Sequence, residues 1–471
     1  MKNLIIVIAL FLFNCSASAD TLFAQGFEQR PVERQFPFVG GSYQLPDYPV
    51  SPQTEWLIEQ FSLPDTSLAD IDAHFDLSAF GMTAQQMRDF LQNVRTSYPN
   101  AEITDVIMGT PVRMNVVMTS QTLGTQVGIV QVGTEYTGLQ KINYLYINGF
   151  SGSVVNPVDQ GLTMTQALDK FETLSSQPSF LVAEIDNTGA CLPLYERNSN
   201  QLRALASVYK IWLLTAAAEA FFLGDIDIYQ NVSLVASELA PGGIINGEPL
   251  GTQFPLFDIT TLSLGLSDNT AADLLHEVIG RDFIELVISS LGLSNPDNLI
   301  PLLNISEQNH LFWSFPLATA LDYVNGTEAF QQQFLEDEII PLGPFTTFLH
   351  NNYTIMVNGS WRATAMDICK TYAHLRDLPQ GSSAMLMTDV AMGSNAAFPN
   401  VRNYWDKVWY KGGDLVSGTN GMQVLTYSWM LENQGENPIV VVALSNSPDG
   451  GIVANSISSV TARVLELARD L

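Results

Sequence analysis

The sequence is poor in charge, and poorest in positive charge. Only 14% of its 471 residues are charged, and 20 Lys and Arg stand against 48 Asp and Glu, for a net charge of −28. A duplex nucleic-acid binder needs a basic face for the phosphates, so no nucleic-acid partner is expected. A small substrate is not excluded, because a local basic pocket can sit in an acidic surface. Cysteine is scarce too, with only Cys15, Cys191 and Cys369. No C-x-x-C pair exists to hold zinc, and the two distant cysteines read as buried small apolar residues rather than a bridge. The histidines, His74, His276, His310, His350 and His374, show no ligand spacing, and His276-Glu277 lacks the second His of H-E-x-x-H. Neither a metal nor a cofactor is expected. Beyond the N-terminus no stretch reaches the ~18 uninterrupted apolar residues of a membrane helix. Internal repeats and low-complexity tracts are absent as well. What remains is a chain with 46% hydrophobic residues, long enough for two folded domains.

The first residues read as an export signal. Lys2 supplies the positive start, Leu4 to Phe13 an apolar run, and Ala17-Ser18-Ala19 a small-residue cleavage site before Asp20. The expected location is periplasmic or extracellular. A lipoprotein signal at Cys15 competes, but Asn14 stands where a small residue is usual. Residues 1–19 are therefore assigned to the signal and residues 20–46, rich in Gly, Pro and Phe, to an irregular lead-in.

Residues 47–150 form the next region, and from about Pro52 to Phe150 the pattern changes twice. Helical spacing in Trp56-Leu57-Ile58 to Phe61, and in Met87, Phe90, Leu91 and Val94, gives way to alternating segments. These are Glu102 to Met108, Val112 to Thr119, Gln126 to Val132 and Lys141 to Ile147. The order predicts a small α+β domain with an antiparallel sheet. Gly149 to Gln160 reads as a linker, and a second domain, 160–471, follows. It opens with a helix from Thr163 and strands at Phe180 to Ile185 and Cys191 to Tyr195. A long helical middle runs from Ala204 to about Leu378. Strands at Val408 to Lys411, Gln423 to Met430 and Ile439 to Leu444 close it, with an amphipathic helix from Val453. Strands at both ends around a helical middle predict one sheet built from both termini of the domain.

Ser207-Val208-Tyr209-Lys210 is the first chemical signal. In a helix, a spacing of three puts hydroxyl and amine on one face. Desolvation or a neighbouring cation can lower a lysine pKa until the amine accepts a serine proton. S-x-x-K alone arises by chance in many chains. Here Ser267-Asp268-Asn269 and Lys411-Gly412-Gly413 follow in order. The three together make up the signature of active-site serine β-lactamases and penicillin-binding proteins.

From about Thr163 to Leu471 the chain resembles a class A β-lactamase-like domain. More narrowly, its architecture resembles secreted two-domain serine hydrolases typified by the clavulanate-cluster cephalosporin esterase and the LpqF-like lipoproteins. There a cystatin- or isomerase-like α+β domain precedes the β-lactamase-like one. The resemblance implies Ser207 as nucleophile, Lys210 as its base and Ser267 as proton relay. It also implies that Asn269 binds a substrate amide or orients the lysine, and that Lys411 pairs with a substrate carboxylate. Gly413 and Asp414 would lie along the substrate, with the N–H groups of Ser207 and Asp414 forming an oxyanion hole.

Three departures bear on mechanism. Gly412 lacks a side chain that, in the family, points away from the pocket. Asp414 stands where a small or hydroxylated residue is usual, and would repel an anionic substrate if it faced the cleft. Class A enzymes carry E-x-x-L-N, whose Glu activates the deacylating water; the only match here is Ile300-Pro301-Leu302-Leu303-Asn304, with Ile300 in the Glu position. Glu307 nearby could substitute for the missing carboxylate, though it reads first as a surface carboxylate in a loop. Asn304 to Trp361 reads as an insertion forming a lid or wall. The expected activity is hydrolysis of an ester, amide or β-lactam through an acyl-enzyme. A D,D-peptidase or penicillin-binding activity on a cell-wall peptide, or a silent binding protein, are the alternatives.

Overall fold

A computed structural model describes residues 36–39 and 42–471. The expected leader, with Cys15, and the lead-in up to residue 35 lie outside the described residues. From Phe36 the lead-in is more ordered than its composition predicted. β1 (Phe38–Val39) and β2 (Ser42–Tyr43) pair, and Phe36 is buried.

The helix-then-strand order of residues 47–150 forms as expected. Helices Val50–Gln60 and Ala84–Ser97 precede four strands, β3 (Ala101–Thr110), β4 (Arg113–Ser120), β5 (Val127–Thr134) and β6 (Ile142–Gly149). The strands pair antiparallel in sequence order. Thr83 starts the second helix through a capping box with Gln86. Alternate strand residues, among them Met114, Val116, Val130 and Val132, bury their side chains in one core with Leu57 and Leu91 from these helices and Ile71 from a short helix, Leu68–His74. Burial of each such side chain is worth about 1.5–3 kcal/mol.

β3 is an edge strand, and the second domain covers it. Gly109 N–H donates to Ser394 O at 2.8 Å and Ala396 N–H to Ile107 O at 2.8 Å. Arg402 enters the junction, donating to Val106 O at 2.9 Å and lying over the Phe36 ring. Burial holds its pKa down to about 10, against the pull of Asp105. Residues 149–160 are likewise docked rather than free. Val155 is in the core, and the Ser459 hydroxyl joins Asn156 N–H to Asp159.

The second sheet has the order β13-β14-β15-β7-β8. β7 (Gln177–Ile185) and β8 (Cys191–Arg197) come from the start of the domain. β13 (Lys407–Ser417), β14 (Gly421–Glu432) and β15 (Ile439–Asn446) come from its end. The sheet from both termini is therefore present. Helices Met164–Glu172 and Ala454–Ala468 cover one face, with Trp429 and Phe180 buried beneath them. The helical middle covers the other, centred on Lys210–Leu223. Residues 206–223 are apolar and long enough to cross a membrane by length and composition; 78% of that stretch is buried as the core helix of this layer. Short pairs complete the strands: β9 (Arg203–Ala204) with β12 (Arg362–Ala363), and β10 (Asn231–Ser233) with β11 (Gln253–Pro255).

The cysteine reading is overturned. Cys191 on β8 and Cys369 on helix Ala365–Arg376 form a disulfide, with Cα atoms 6.2 Å apart. The helix packs against β7 and β8, so sheet closure brings together residues separated by 178 positions.

Candidate active site

Ser207 does not lie inside a helix, as its spacing predicted. It sits in a 3-10 turn, Ala206–Tyr209, between β9 and helix Lys210–Leu223. Side chains three apart eclipse in a 3-10 turn, so the S-x-x-K spacing still places the two groups on one side. Ala206 adopts φ of 47°, a left-handed conformation that costs a non-glycine residue about 1–3 kcal/mol. Stacking of Tyr209 on Trp361, with centroids 3.8 Å apart, and the bond from Leu205 N–H to Trp361 O help hold the turn.

Lys210 is fully buried. Its Nζ donates to Ser267 O at 2.7 Å, Asp268 O at 3.2 Å and Asn269 Oδ1 at 2.9 Å. Burial lowers its pKa to about 7, with Asp268 and Asp273 pulling the other way. Three acceptors saturate the three N–H bonds of an ammonium, and among the described residues no hydrogen bond joins Nζ to the Ser207 hydroxyl. Loss of one proton frees a lone pair that can turn to Ser207.

The second motif follows a π-turn segment, Leu262–Leu266, at whose end Ser267 adopts φ of 61°. The segment leans on the N-terminal domain. A Cβ on Gly265 would meet Ser394 Oγ at 1.9 Å and Thr110 at 3.0 Å. Asp268 is buried, caps helix Asn269–Ile279 at Ala271 N–H, and accepts from Ile244 and Ile245 N–H. Asn269 donates to Pro241 O at 2.6 Å while accepting from Lys210. Both ends of the Asn269 amide are thus engaged within the protein, one of them by Lys210.

Lys411 Nζ donates to Ser267 Oγ at 2.9 Å and to Gly412 O at 2.6 Å. Its pKa is pushed well down by burial and by Lys210, with Asp414 opposing. Strand alternation sorts the rest of the motif. Gly413 opposes Thr426 on the Lys411 face, and a Cβ there would lie 2.4 Å from Ser207 N. Only glycine lets β13 approach the turn so closely. Gly412 faces the other way, where a Cβ would meet the Tyr410 hydroxyl at 1.9 Å. Asp414 opposes Leu425, on that same outer face, so the carboxylate is not aimed with Lys411 into the cleft.

Ile300, cis to Pro301, packs against the helical core and offers no proton acceptor. Glu307 corrects the sequence reading. It is buried, lies in the first turn of helix Ile305–Trp313, closes a capping box with Asn304, and binds Arg281 through both oxygens at 2.6 and 2.9 Å. Asp273 was missed. One turn beyond Asn269, it is fully buried and accepts from Ile305 and Ser306 N–H at 2.8 and 3.0 Å. Its helix position was readable, but its partners come from a distant loop. The segment from Asn304 to Trp361 folds as helices with a core of their own, and Leu415 of β13 packs against it. Among the described residues no cluster of His, Cys, Asp or Glu is arranged to hold a metal.

A family model described as "Beta-lactamase enzyme family" matches residues 164–332. The match spans Ser207, Lys210, Ser267 and Asn269 and stops before Lys411. It supports a β-lactamase-like fold and a hydrolase class for this region. No curated protein matches the chain. Similar solved structures include a β-lactamase from Chitinophaga pinensis, 14% identical over 65% of this chain and 97% of that one, with a TM-score of 0.45. Another, from Sphaerobacter thermophilus, is 18% identical over 66% and 99%, with a TM-score of 0.43. The TLA-3 extended-spectrum β-lactamase is 12% identical over 65% and 97%, with a TM-score of 0.44.

Proposed function

We propose that this protein is a serine hydrolase that attacks an ester, amide or β-lactam carbonyl with Ser207 and forms an acyl-enzyme. One observation carries the reading: the buried amines of Lys411 and Lys210 converge on the half-buried Ser267, one donating to its hydroxyl and the other to its carbonyl, with Lys210 three residues from Ser207. Neutral Lys210 takes the Ser207 proton. The proton taken by Lys210 passes on to Ser267 Oγ as Ser267, held by Lys411, gives its own hydroxyl proton to the leaving group. The N–H groups of Ser207 and Asp414 stabilise the oxyanion, and Lys411 draws in a substrate carboxylate. Gly413 matters here because it leaves room for β13 to meet the Ser207 turn.

Ile300 where an activating carboxylate would stand favours slow deacylation, so esterase turnover should exceed β-lactam turnover. The same observation supports the second reading, a penicillin-binding protein that stays acylated. The narrower likeness to the cephalosporin esterase and LpqF-like group, with a cystatin-like first domain, belongs to this proposal, as does export. The disulfide supports export independently of the leader, since such bonds persist in oxidising compartments.

Intact-mass measurement after exposure to a penicillin and to a small activated ester tests the reading. We expect a stoichiometric adduct that Ser207→Ala abolishes. An equal adduct in that variant would remove Ser207 as nucleophile.

A further inference from the structure

Cations are few in this chain, and among the described residues nearly all have partners. Carboxylates hold Arg88, Arg197, Arg281, Arg376, Arg463 and Arg469. Backbone carbonyls hold Arg95, Arg113, Arg203 and Arg402. The lysines are bonded as well. Arg362 is the exception: among the described residues its guanidinium has neither an ion pair nor a hydrogen bond. It is half-buried, and burial alone lowers its pKa, with no carboxylate felt from any side.

A half-buried cation without a counter-charge is costly unless something supplies one. Arg362 lines a cavity of about 100 Å³. Around it stand the amide side chains of Asn298, Gln308, Gln331 and Asn358. Gln308 and Gln331 each spend one N–H on a backbone carbonyl, of Gly359 and Tyr323, and each amide carries a second. Asn298 and Asn358 make no side-chain hydrogen bond among the described residues. The exposed Asp297 also lines the cavity, with no ion pair or hydrogen bond to the guanidinium among the described residues. The donors therefore outnumber the negative charges.

We propose that Arg362 and these amides form a binding site for a small oxyanion, a carboxylate or phosphate group, arriving free or as a substituent of the substrate. A guanidinium binds either group through two parallel N–H bonds. The site is placed to matter. Arg362 pairs with Ala204 across β9 and β12, just ahead of Ser207, and neighbouring Trp361 stacks on Tyr209. Ile300 and Pro301 form part of the cavity wall. The substrate source rests on the proposed hydrolase function; binding itself does not.

Calorimetric titration of the full chain with inorganic phosphate and with acetate, at constant ionic strength in chloride, tests the site. We expect saturable one-to-one binding, weakened about tenfold or more in Arg362→Gln and less in Arg362→Lys. Absence of saturable binding of both anions, or equal affinity in Arg362→Gln, would overturn the proposal. Should that variant not fold, Arg362→Lys and Asn358→Ala decide, and unchanged affinity in both overturns it. Two activated esters differing by one acyl-side carboxylate then separate the sources. A KM rise in Arg362→Gln confined to the anionic ester assigns the anion to the substrate; equal KM values alongside weakened phosphate binding assign it to a free ligand.

Discussion

Acylation of Ser207 should rise about tenfold between about pH 6 and about pH 8 and then level off, following deprotonation of Lys210. Burial lowers this lysine from 10.5 to about 7. At neutral pH roughly half of it is then unprotonated, against roughly three in ten thousand for a free lysine, a gain of about a thousandfold in available base. Part of that gain is lost because a weaker base pulls less strongly on the serine proton. Stopped-flow measurement of the burst with a neutral activated ester reads the step directly. Lys210→Ala should lower the burst rate by ~10²–10⁴ and flatten the profile. A rate that keeps climbing tenfold per pH unit beyond about pH 9 would mean an unshifted lysine, and an unchanged profile in Lys210→Ala would mean another base. The linkage has a definite sign. Between about 7 and the ordinary 10.5 the unfolded chain binds the proton that the folded chain has released. Lys210 therefore destabilises the fold fully below about 7, and the penalty fades as pH rises to 10.5.

Three further outcomes follow from the geometry. With Ile300 in place of a general base, penicillin should give a burst and then a phase slower by ~10²–10⁴ than acylation; fast steady turnover without a burst would point to another carboxylate as base. Gly413→Ala drives a Cβ to within 2.4 Å of Ser207 N and 2.9 Å of Leu205 O, so the turn must shift. A displacement of that kind should cost about 10² in acylation rate, measured by the same burst, whereas Gly412→Ala presses on Tyr410 and should lower the melting temperature more than the rate. Replacing Cys191 and Cys369 together by serine should cost about 2–4 kcal/mol in denaturant unfolding, because the bond closes a loop spanning 178 residues. No change in the unfolding midpoint would mean the bridge does not form.

Much of the fold was legible because it rests on local periodicity. Alternation marked β3 to β6, β14 and β15 closely, whereas β13 runs on from the expected end at Lys411 to Ser417, and the three-residue spacing put Ser207 and Lys210 on one side even though the segment is a 3-10 turn. Strand alternation also decides the face of Asp414, since side chains on β13 must take turns. The polar partners were not legible, because hydrogen bonds and ion pairs depend on which distant elements close over each other.

Sequence alone therefore determined the order of elements and the proposed reacting groups, whose spacing follows from the geometry of a single turn or strand. Tertiary structure decided the environments that make those groups reactive. It buried Lys210 beneath the second motif, set Lys411 against Ser267, joined Cys191 to Cys369, committed Glu307 to Arg281 and left Arg362 without an ion pair or hydrogen bond among the described residues. Each outcome depends on desolvation and on contacts between residues far apart in the chain, which no local pattern encodes.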